Sequence, residues 1–434
     1  MRDYLQSLGA AGDIAEVARE VDPRFELAAV TRAAQRAGDR AVLFRKVRGS
    51  RLPVVTNVYG SRRRLLDMIG AKDGRFAPRF AELCENLAPV PSLTVETQRV
   101  EGSLLDLPQI VYHERDGGPY LTAAIFLARE PDSGVANLSF HRSMICGERE
   151  LRVRLGGSHD LAGYQAKAEK TGKALEAAIL VGSAPEVFLA ACASLPYEAD
   201  EMAFAARLRG APVPLERCRT IDLAVPADTE VLIEGRFLPN LKRPEGPFGE
   251  FMGYYVPVGD NHVFEVTRVA WRKDAVFHSI LCQSPEDIYP LEYAIATRIY
   301  RMLRTKVPGL LDVACKSSLL ATVLQLRPQY EGHVREALHA AVASHTDYNK
   351  LVIAVDDDVD PTDYEDVLWA YLTRGRADTR ATILHDVPGF YRDPMKDHWG
   401  RLLIDATRPW GREREFERKR IPGQDDIDLG DYLA

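Results

Sequence analysis

Two glutamates flank a Gly-Pro pair in the stretch Pro244-Glu245-Gly246-Pro247-Phe248-Gly249-Glu250-Phe251-Met252-Gly253-Tyr254-Tyr255. Proline and glycine bar a helix here, so the stretch reads as a tight loop or a strand end. Burial beside Phe248 and Phe251 would raise one carboxyl pKa and leave a proton donor near neutral pH. The alternative is a solvated, acidic Gly-Pro turn, and the stretch alone leaves both readings open.

Ala136-Asn137-Leu138-Ser139-Phe140-His141-Arg142 is the second stretch with chemical content. If extended, it points Asn137, Ser139 and His141 one way and Phe140 and Arg142 the other. An arginine opposite two glutamates makes a charge-coupled trio. Its planar fork holds a carboxylate in a fixed plane, which lysine cannot do. The plainer role for Arg142 is to neutralise a buried Glu245, and the two roles are compatible.

Three further residues could form a mixed oxygen and nitrogen ligand set: Asn137, His159 and Glu201. Such a set suits Mn²⁺ or Mg²⁺ shared with a phosphate better than Zn²⁺. Their spacing, 22 and then 42 residues, carries no local signature. Each also has an ordinary reading. His159 lies just before a helix for which Asp160 is the expected N-cap. Glu201 in the first turn of the next helix suits the helix dipole. The run Asp356-Asp357-Asp358-Val359-Asp360 lacks the glycine and closing glutamate of an EF-hand, and reads as helix-capping carboxylates. P-loop, GxGxxG, GxSxG and HExxH motifs are absent.

The elements that must position these residues fall into three regions. Residues 1–90 alternate helix and strand signals. Glu26 to Ala37 has helical spacing, Ala41–Phe44 and Leu52–Val58 are strand runs, and Ser61 caps a helix that closes at Gly70. Pro89 and Pro91 mark a linker. From about 105 to 285 the chain is strand-rich. One apolar run is Tyr120–Leu127. A helical insert covers Asp160 to Lys173 and Pro185 to Ala193, around a strand Ala177–Val181. This predicts a β-barrel-like domain carrying an α/β insertion. From 290 onward a helix over 290–304, strands Leu319–Leu326 and Leu351–Val355, and helices through His333–Ala343 and from Asp363 make a second α/β unit. The tail Gly411–Ala434 is charge-dense, and reads as mobile or wrapped on a partner chain.

At 434 residues two or three domains are expected. A net charge of −7 with mixed signs excludes the basic face that nucleic-acid binding needs. The six cysteines are scattered with no CxxC pair, as in reduced cytosolic proteins. Met1-Arg2-Asp3-Tyr4-Leu5 opens no apolar run of signal-peptide length, and no stretch is long and apolar enough for a bilayer. A cytoplasmic location without membrane insertion is therefore expected.

In order, the segments VDPRFELAAVTRAAQRAGDRAVLFRKVRGSRLPVVTNVYGSRRRL, GPYLTAAIFLARE, ANLSFHR, EGPFGEFMGYY, VIAVDDDVDPTDYEDVLWAYLTR and LLIDATRPW resemble the UbiD family of decarboxylases, which depend on prenylated FMN. The resemblance covers nearly the whole chain. It implies an N-terminal α/β domain over 1–100, a central split β-barrel that binds the flavin over 101–305, and a C-terminal α/β domain over 306–434. The last would make a homodimer or a higher homo-oligomer. Arg142, Glu245 and Glu250 fall on the family's catalytic Glu-Arg-Glu set, with Glu250 as proton donor. Asn137, His159 and Glu201 match the ligands of a divalent metal, Mn²⁺ or Mg²⁺, that bridges to the flavin phosphate, with K⁺ nearby. Thr122, Ser139, Phe140, His141, Ser194 and Pro196 match cofactor-contacting positions.

The implied activity is reversible non-oxidative decarboxylation of an aromatic, heteroaromatic or α,β-unsaturated carboxylic acid, with a flavin prenyltransferase as cofactor supplier. The segment Ser284-Pro285-Glu286-Asp287-Ile288-Tyr289 departs from a Pro-Asp-Glu type common among relatives. It borders their substrate pocket, so the substrate does not carry over. Phe248, Phe251, Tyr254 and Tyr255 suggest a flat aromatic acid. Two other readings compete: a flavin-binding subunit of a multi-subunit aryl carboxylase without independent decarboxylase activity, and an unrelated metal-binding α/β protein built on Asp356–Asp360.

Overall fold

The computed structural model describes residues 1–434 apart from 89–92, 158, 317–318, 345–347, 388, 391–392, 394, 396–398, 424–426 and 433–434. The linker prolines Pro89 and Pro91 lie outside the described residues. Two compact units are formed by residues 1–298 and 299–434.

Within the first unit a nine-stranded antiparallel sheet dominates. Its order runs Tyr120–Leu121, Ser143–Ile145, Glu150–Val153, Gly259–Arg272, Val231–Glu245, Leu175–Val181, Ile125–Arg129, Ala136–Phe140, with Arg99–Gly102 beside Gly259–Arg272. Strand Ala136–Phe140 ends this order at one edge. Strand Ser143–Ile145 stands next to the opposite edge. Only His141 and Arg142 connect them. Two residues span roughly 10 Å at most, so the sheet must curl until its edges meet. This is the split barrel, and Arg142 stands at its seam.

Curling is eased in the two longest strands. Register shifts at Glu234/Gly235 and Phe237/Lys242 bend Val231–Glu245 against its partner. At Gly235 a Cβ would lie 2.2 Å from the Glu265 carbonyl oxygen, so only glycine allows the bend. The barrel is filled by Phe126, Phe237 and Phe264, which pack with ring centroids 4.9–5.6 Å apart. The apolar run Tyr120–Leu127 divides into two strands around Thr122–Ala124. There the Thr122 hydroxyl accepts from Ile280 N at 3.0 Å, and side-chain bonding displaces the ladder.

A smaller four-stranded sheet has the order Ile14–Val17, Ala41–Phe44, Val54–Thr56, Phe277–His278. Its last strand comes from far along the chain. Helices Glu26–Ala37, Arg62–Ile69 and Phe76–Leu83 surround it, and Ser61 caps the second as expected, with Gly70 left-handed at its end. The helix expected over 290–304 begins earlier, at Pro285, and runs to Leu303 with Pro290 inside. Proline at the first helical position costs no hydrogen bond. This shift places Glu286 in the first turn. Its buried carboxylate accepts from Asn57 N at 2.5 Å, Tyr59 N at 3.0 Å and His278 Nε2 at 2.9 Å.

In residues 299–434 a five-stranded mixed sheet has the order Leu310–Lys316, Ala321–Leu326, Leu351–Val355, Arg401–Asp405, Ala381–Leu384, with helices His333–Ser344 and Tyr364–Arg374. Asp363 caps the second helix, accepting from Glu365 N at 2.9 Å. The charged tail is anchored at its start on its own chain. Arg418 lies 4.0 Å over the Trp369 ring and pairs with Asp366 at 2.5 Å. Among the described residues no helix is long and apolar enough to cross a membrane.

Removing the Glu286 carboxylate would leave two buried backbone N–H groups unpaired, at about 1–3 kcal/mol each. Glu286→Ala is expected to lose about 3 kcal/mol of stability, read from the midpoint and slope of urea unfolding; a loss below about 1 kcal/mol would show that the tether is dispensable.

Candidate active site

Arg142 is positioned by the barrel seam, where His141 N donates to the Ala124 carbonyl at 3.2 Å. Its Nε and Nη2 reach the two oxygens of Glu245 at 3.2 and 3.1 Å, and its Nη1 reaches Glu250 Oε1 at 2.9 Å. The guanidinium carbon lies 4.8 Å from the centre of the Phe248 ring. All three charged side chains are largely or wholly buried, with exposures of 10, 0 and 7%. The structure thus brings Arg142, Glu245 and Glu250 together, and the solvated-turn alternative falls.

The two glutamates are held differently. Glu245 closes the long strand Val231–Glu245. Besides Arg142, it accepts from the Tyr120 hydroxyl at 2.7 Å and from Asn261 Nδ2 at 2.8 Å. Two donors on each oxygen fill the lone pairs of a carboxylate, so no position remains for a proton. Burial, and then the Glu245 charge, push the Tyr120 phenol far above its ordinary pKa, which keeps it a donor. Glu250 opens the turn of a short hairpin, in which Phe248–Gly249 pairs with Tyr255–Val256. Its N–H donates to Tyr254 O at 3.0 Å and its carbonyl accepts from Gly253 N at 2.9 Å. Tyr120 sits in a run that reads as core, and Asn261 is one polar residue among turn formers. Neither has a local signature that would single it out.

The alternation over Asn137–His141 is as expected. Ser139 Oγ lies 2.9 Å from Asn137 Oδ1 and 2.9 Å from His141 Nε2, so the three share a face. Glu201, buried in the first turn of helix Glu201–Arg209, places Oε1 3.4 Å from Asn137 Nδ2 and Oε2 3.4 Å from Leu138 N. The His159 ring centre lies 5.2 Å from that of His141. Burial pushes the Glu201 carboxyl up to about 8, against backbone hydrogen bonds that pull it down, and Asp160 and Asp200 push it the same way. A buried acid whose charged neighbours are acids is a place for a cation. Amide oxygen, carboxylate and imidazole donors fit Mn²⁺ or Mg²⁺. Among the described residues no group of three or more His, Cys, Asp and Glu gathers as a metal cage.

The other candidates are placed as follows. The Thr122 hydroxyl is engaged inside the protein, 2.8 Å from Tyr112 Oη, which also lies 2.7 Å from Ser279 Oγ. Phe140 packs edge-on against Phe188 at 5.1 Å. Ser194, half-buried, and Pro196, exposed, lie in the connection that leads to Glu201. His159, not Asp160, takes the N-cap position, because the helix begins at Asp160 itself. The Asp356–Asp358 run is consumed by arginines: Arg374 reaches Asp356 and Asp358 at 2.8 and 2.6 Å, and Arg408 reaches Asp357 at 2.8 Å. These carboxylates are ion-paired, which removes the metal-loop reading. Phe248 is core beneath Arg142, and Tyr254 is 63% exposed, so neither supports a pocket for a flat aromatic acid. A cavity of about 540 Å³ lies along the long strands, with Arg149, Arg236 and Arg243 in its wall, and includes none of the three charged residues.

Family models of the 3-octaprenyl-4-hydroxybenzoate carboxy-lyase N-terminal, Rift-related and C-terminal domains match residues 5–84, 86–285 and 289–406. The chain belongs to the UbiD family. Anhydromevalonate phosphate decarboxylase of Methanothermobacter thermautotrophicus is 32% identical over 426 residues, covering 96% of this chain and 99% of that one. The UbiD-class enzyme HmfF from Pelotomaculum thermopropionicum, solved in complex with FMN, matches with a TM-score of 0.93 at 34% identity, covering 100% of this chain and 99% of that one. An evolved dimeric form of HmfF in complex with prFMN matches at 0.90 with the same identity and coverage. This UbiD protein is therefore a UbiD-class (de)carboxylase, and its curled half-barrel is the family's fold.

With a carboxyl pKa raised from 4.5 to about 8, Glu201 favours the fold below pH 4.5 and loses that contribution as pH rises through 8. In metal-free protein, Glu201→Gln is therefore expected to melt higher than wild type at pH 9 and no higher at pH 4. Equal melting temperatures at pH 9 would contradict the buried-acid account.

Proposed function

We propose that this protein decarboxylates, reversibly and without oxidation, an acid whose carboxyl group sits on an sp² carbon, with prenylated FMN as cofactor and Glu250 as proton donor. One observation carries the reading: a single buried guanidinium, Arg142, grips both glutamates. The substrate class is an α,β-unsaturated, aromatic or heteroaromatic acid.

Loss of CO₂ from an sp² carbon leaves an electron pair that no side chain accommodates. Prenylated FMN, when bound, supplies that electron sink. Asn137, His159 and Glu201 would hold the divalent cation that anchors its phosphate, with Ser139 and His141 on the same face. The protein's own residues position charge and move one proton. Glu245, fixed as a carboxylate, balances the guanidinium. Arg142 is then held in one plane, able to orient the departing carboxylate through its remaining N–H edge. Glu250, which accepts from Arg142 on Oε1, would deliver the proton to the substrate carbon. In carboxylation the same carboxyl group takes the proton back.

The same reading assigns homo-oligomer formation to the C-terminal domain, residues 306–434. It is supported by an apolar stripe on helix Tyr364–Arg374, where Tyr364, Leu368 and Leu372 are 53, 54 and 70% exposed at successive turns.

The test is CO₂ release and solvent-deuterium exchange by protein co-produced with a flavin prenyltransferase, over a panel of aryl and enoic acids. Glu250→Gln is expected to keep its flavin absorbance and lose about 10²–10⁴-fold in turnover, the usual scale of general acid catalysis. Full activity in that variant would remove Glu250 from the mechanism. Glu201→Ala should lose divalent metal and retain flavin poorly; unchanged metal content by elemental analysis would remove it from the ligand set.

A further inference from the structure

The hairpin that carries Glu250 is gripped from one side by the turn His113-Glu114-Arg115-Asp116-Gly117. The Asp116 carboxylate is wholly buried, yet among the described residues it bonds no arginine or lysine. Its Oδ1 accepts from Gly249 N at 2.9 Å, the residue immediately before Glu250. Its Oδ2 accepts from His113 N at 2.9 Å and lies 3.5 Å from His113 Nδ1. Hydrogen bonds to a charged acceptor are about twice as strong as neutral ones. This one acts on the backbone of the catalytic strand itself.

Three more contacts close the grip. The His113 ring fills the face that Gly249 leaves open, where an added Cβ would lie 2.5 Å from Nδ1. Gly117 N donates to Pro247 O at 2.8 Å, and a Cβ on Gly117 would lie 2.2 Å from Gly246 O. On the second hairpin strand, the Arg115 guanidinium lies 4.7 Å over the Tyr255 ring, and Arg115 N donates to Tyr255 Oη at 3.3 Å. Both arms of the hairpin are therefore fixed by one turn of five residues.

We propose that the 113–117 turn is a clasp that sets the height of Glu250 over its site, with Asp116 as the positioning residue. The proposal rests on the reading of Glu250 as proton donor. Asp116 touches neither Arg142 nor the glutamate side chains in this arrangement; it acts through the Gly249 backbone. Proton transfer is steeply sensitive to position, and a displacement of about 1 Å costs about 10²-fold in rate.

Hydrogen–deuterium exchange of the cofactor-loaded protein tests the clasp directly. In Asp116→Ala the amides of 246–256 are expected to exchange at least tenfold faster, together with those of the 113–117 turn and with the rest of the chain unchanged. Asp116→Asn, which has the same shape but keeps one strong acceptor, should fall between. Turnover of an acid that wild type decarboxylates should drop about 10²-fold in kcat for Asp116→Ala, with KM changed less than threefold and flavin absorbance retained. Gly249→Ala should show the same loss, because its methyl group meets the His113 ring, and His113→Ala added to Gly249→Ala should restore much of it.

Unchanged exchange at 246–256 in both Asp116 variants would overturn the clasp, as would full kcat in either. If Asp116→Ala does not fold, Asp116→Asn and the Gly249/His113 pair carry the same test. Glu250→Gln separates the two readings. Turnover surviving in that variant removes the proton donor itself, whereas an inactive Glu250→Gln beside a fully active Asp116→Asn removes only the clasp.

Discussion

A guanidinium gripped by two carboxylates out of reach of water is costly to assemble. Each ion gives up several kcal/mol of hydration, and attraction offsets that only when the geometry is nearly ideal. In this protein the ideal geometry comes from the backbone. Arg142 sits where two residues join the ends of a curled sheet, so its Cα has little freedom. Glu245 ends the longest strand of that same sheet. The two partners are thus fixed by one ladder of backbone hydrogen bonds. Tyr120 and Asn261 then saturate the carboxylate. Glu250 stands outside that ladder, on a short hairpin held by the 113–117 turn. Separate supports for the two glutamates suit a fixed counter-charge and a proton carrier.

The chain handles buried acids in three ways, and the contrast separates structure from chemistry. Glu286 spends its charge on backbone N–H groups and a histidine, where it joins distant segments. Asp356 and Asp358 spend theirs on Arg374, beneath the Trp369 ring. Glu201 has neither solution. Its closest donors stand at 3.4 Å and its charged neighbours repel it. That condition supports the proposed role of Glu201 as a ligand of a divalent cation.

Much of this was legible in the amino-acid sequence, but unevenly. The period-two alternation of Asn137, Ser139 and His141 foretold their common face, because strand geometry is local. Capping by Ser61, and the start of a helix at Asp363, were legible for the same reason. Arg142 and the two glutamates stood out as types, yet nothing local says that residues more than 100 positions apart meet; the family resemblance supplied that. Local patterning failed where tertiary bonding overrides it. The apolar run 120–127 looks like one strand and is two, since Thr122 bonds to Ile280. Asp116 was invisible because its partner is a backbone N–H, which every residue except proline possesses.

The small sheet near the start of the chain takes its fourth strand from Phe277–His278. At the ribosome, residues 1–84 therefore emerge without the neighbour that completes them. Val54–Thr56 is left as an open edge while the whole barrel is being translated, and open edges invite wrong partners. The same late segment leads into the Glu286 turn, which ties back to Asn57 and Tyr59. Translation past this point seals the edge and fastens the two ends of the unit in one event. Shortened chains that stop before it would be the species that chaperones must shield.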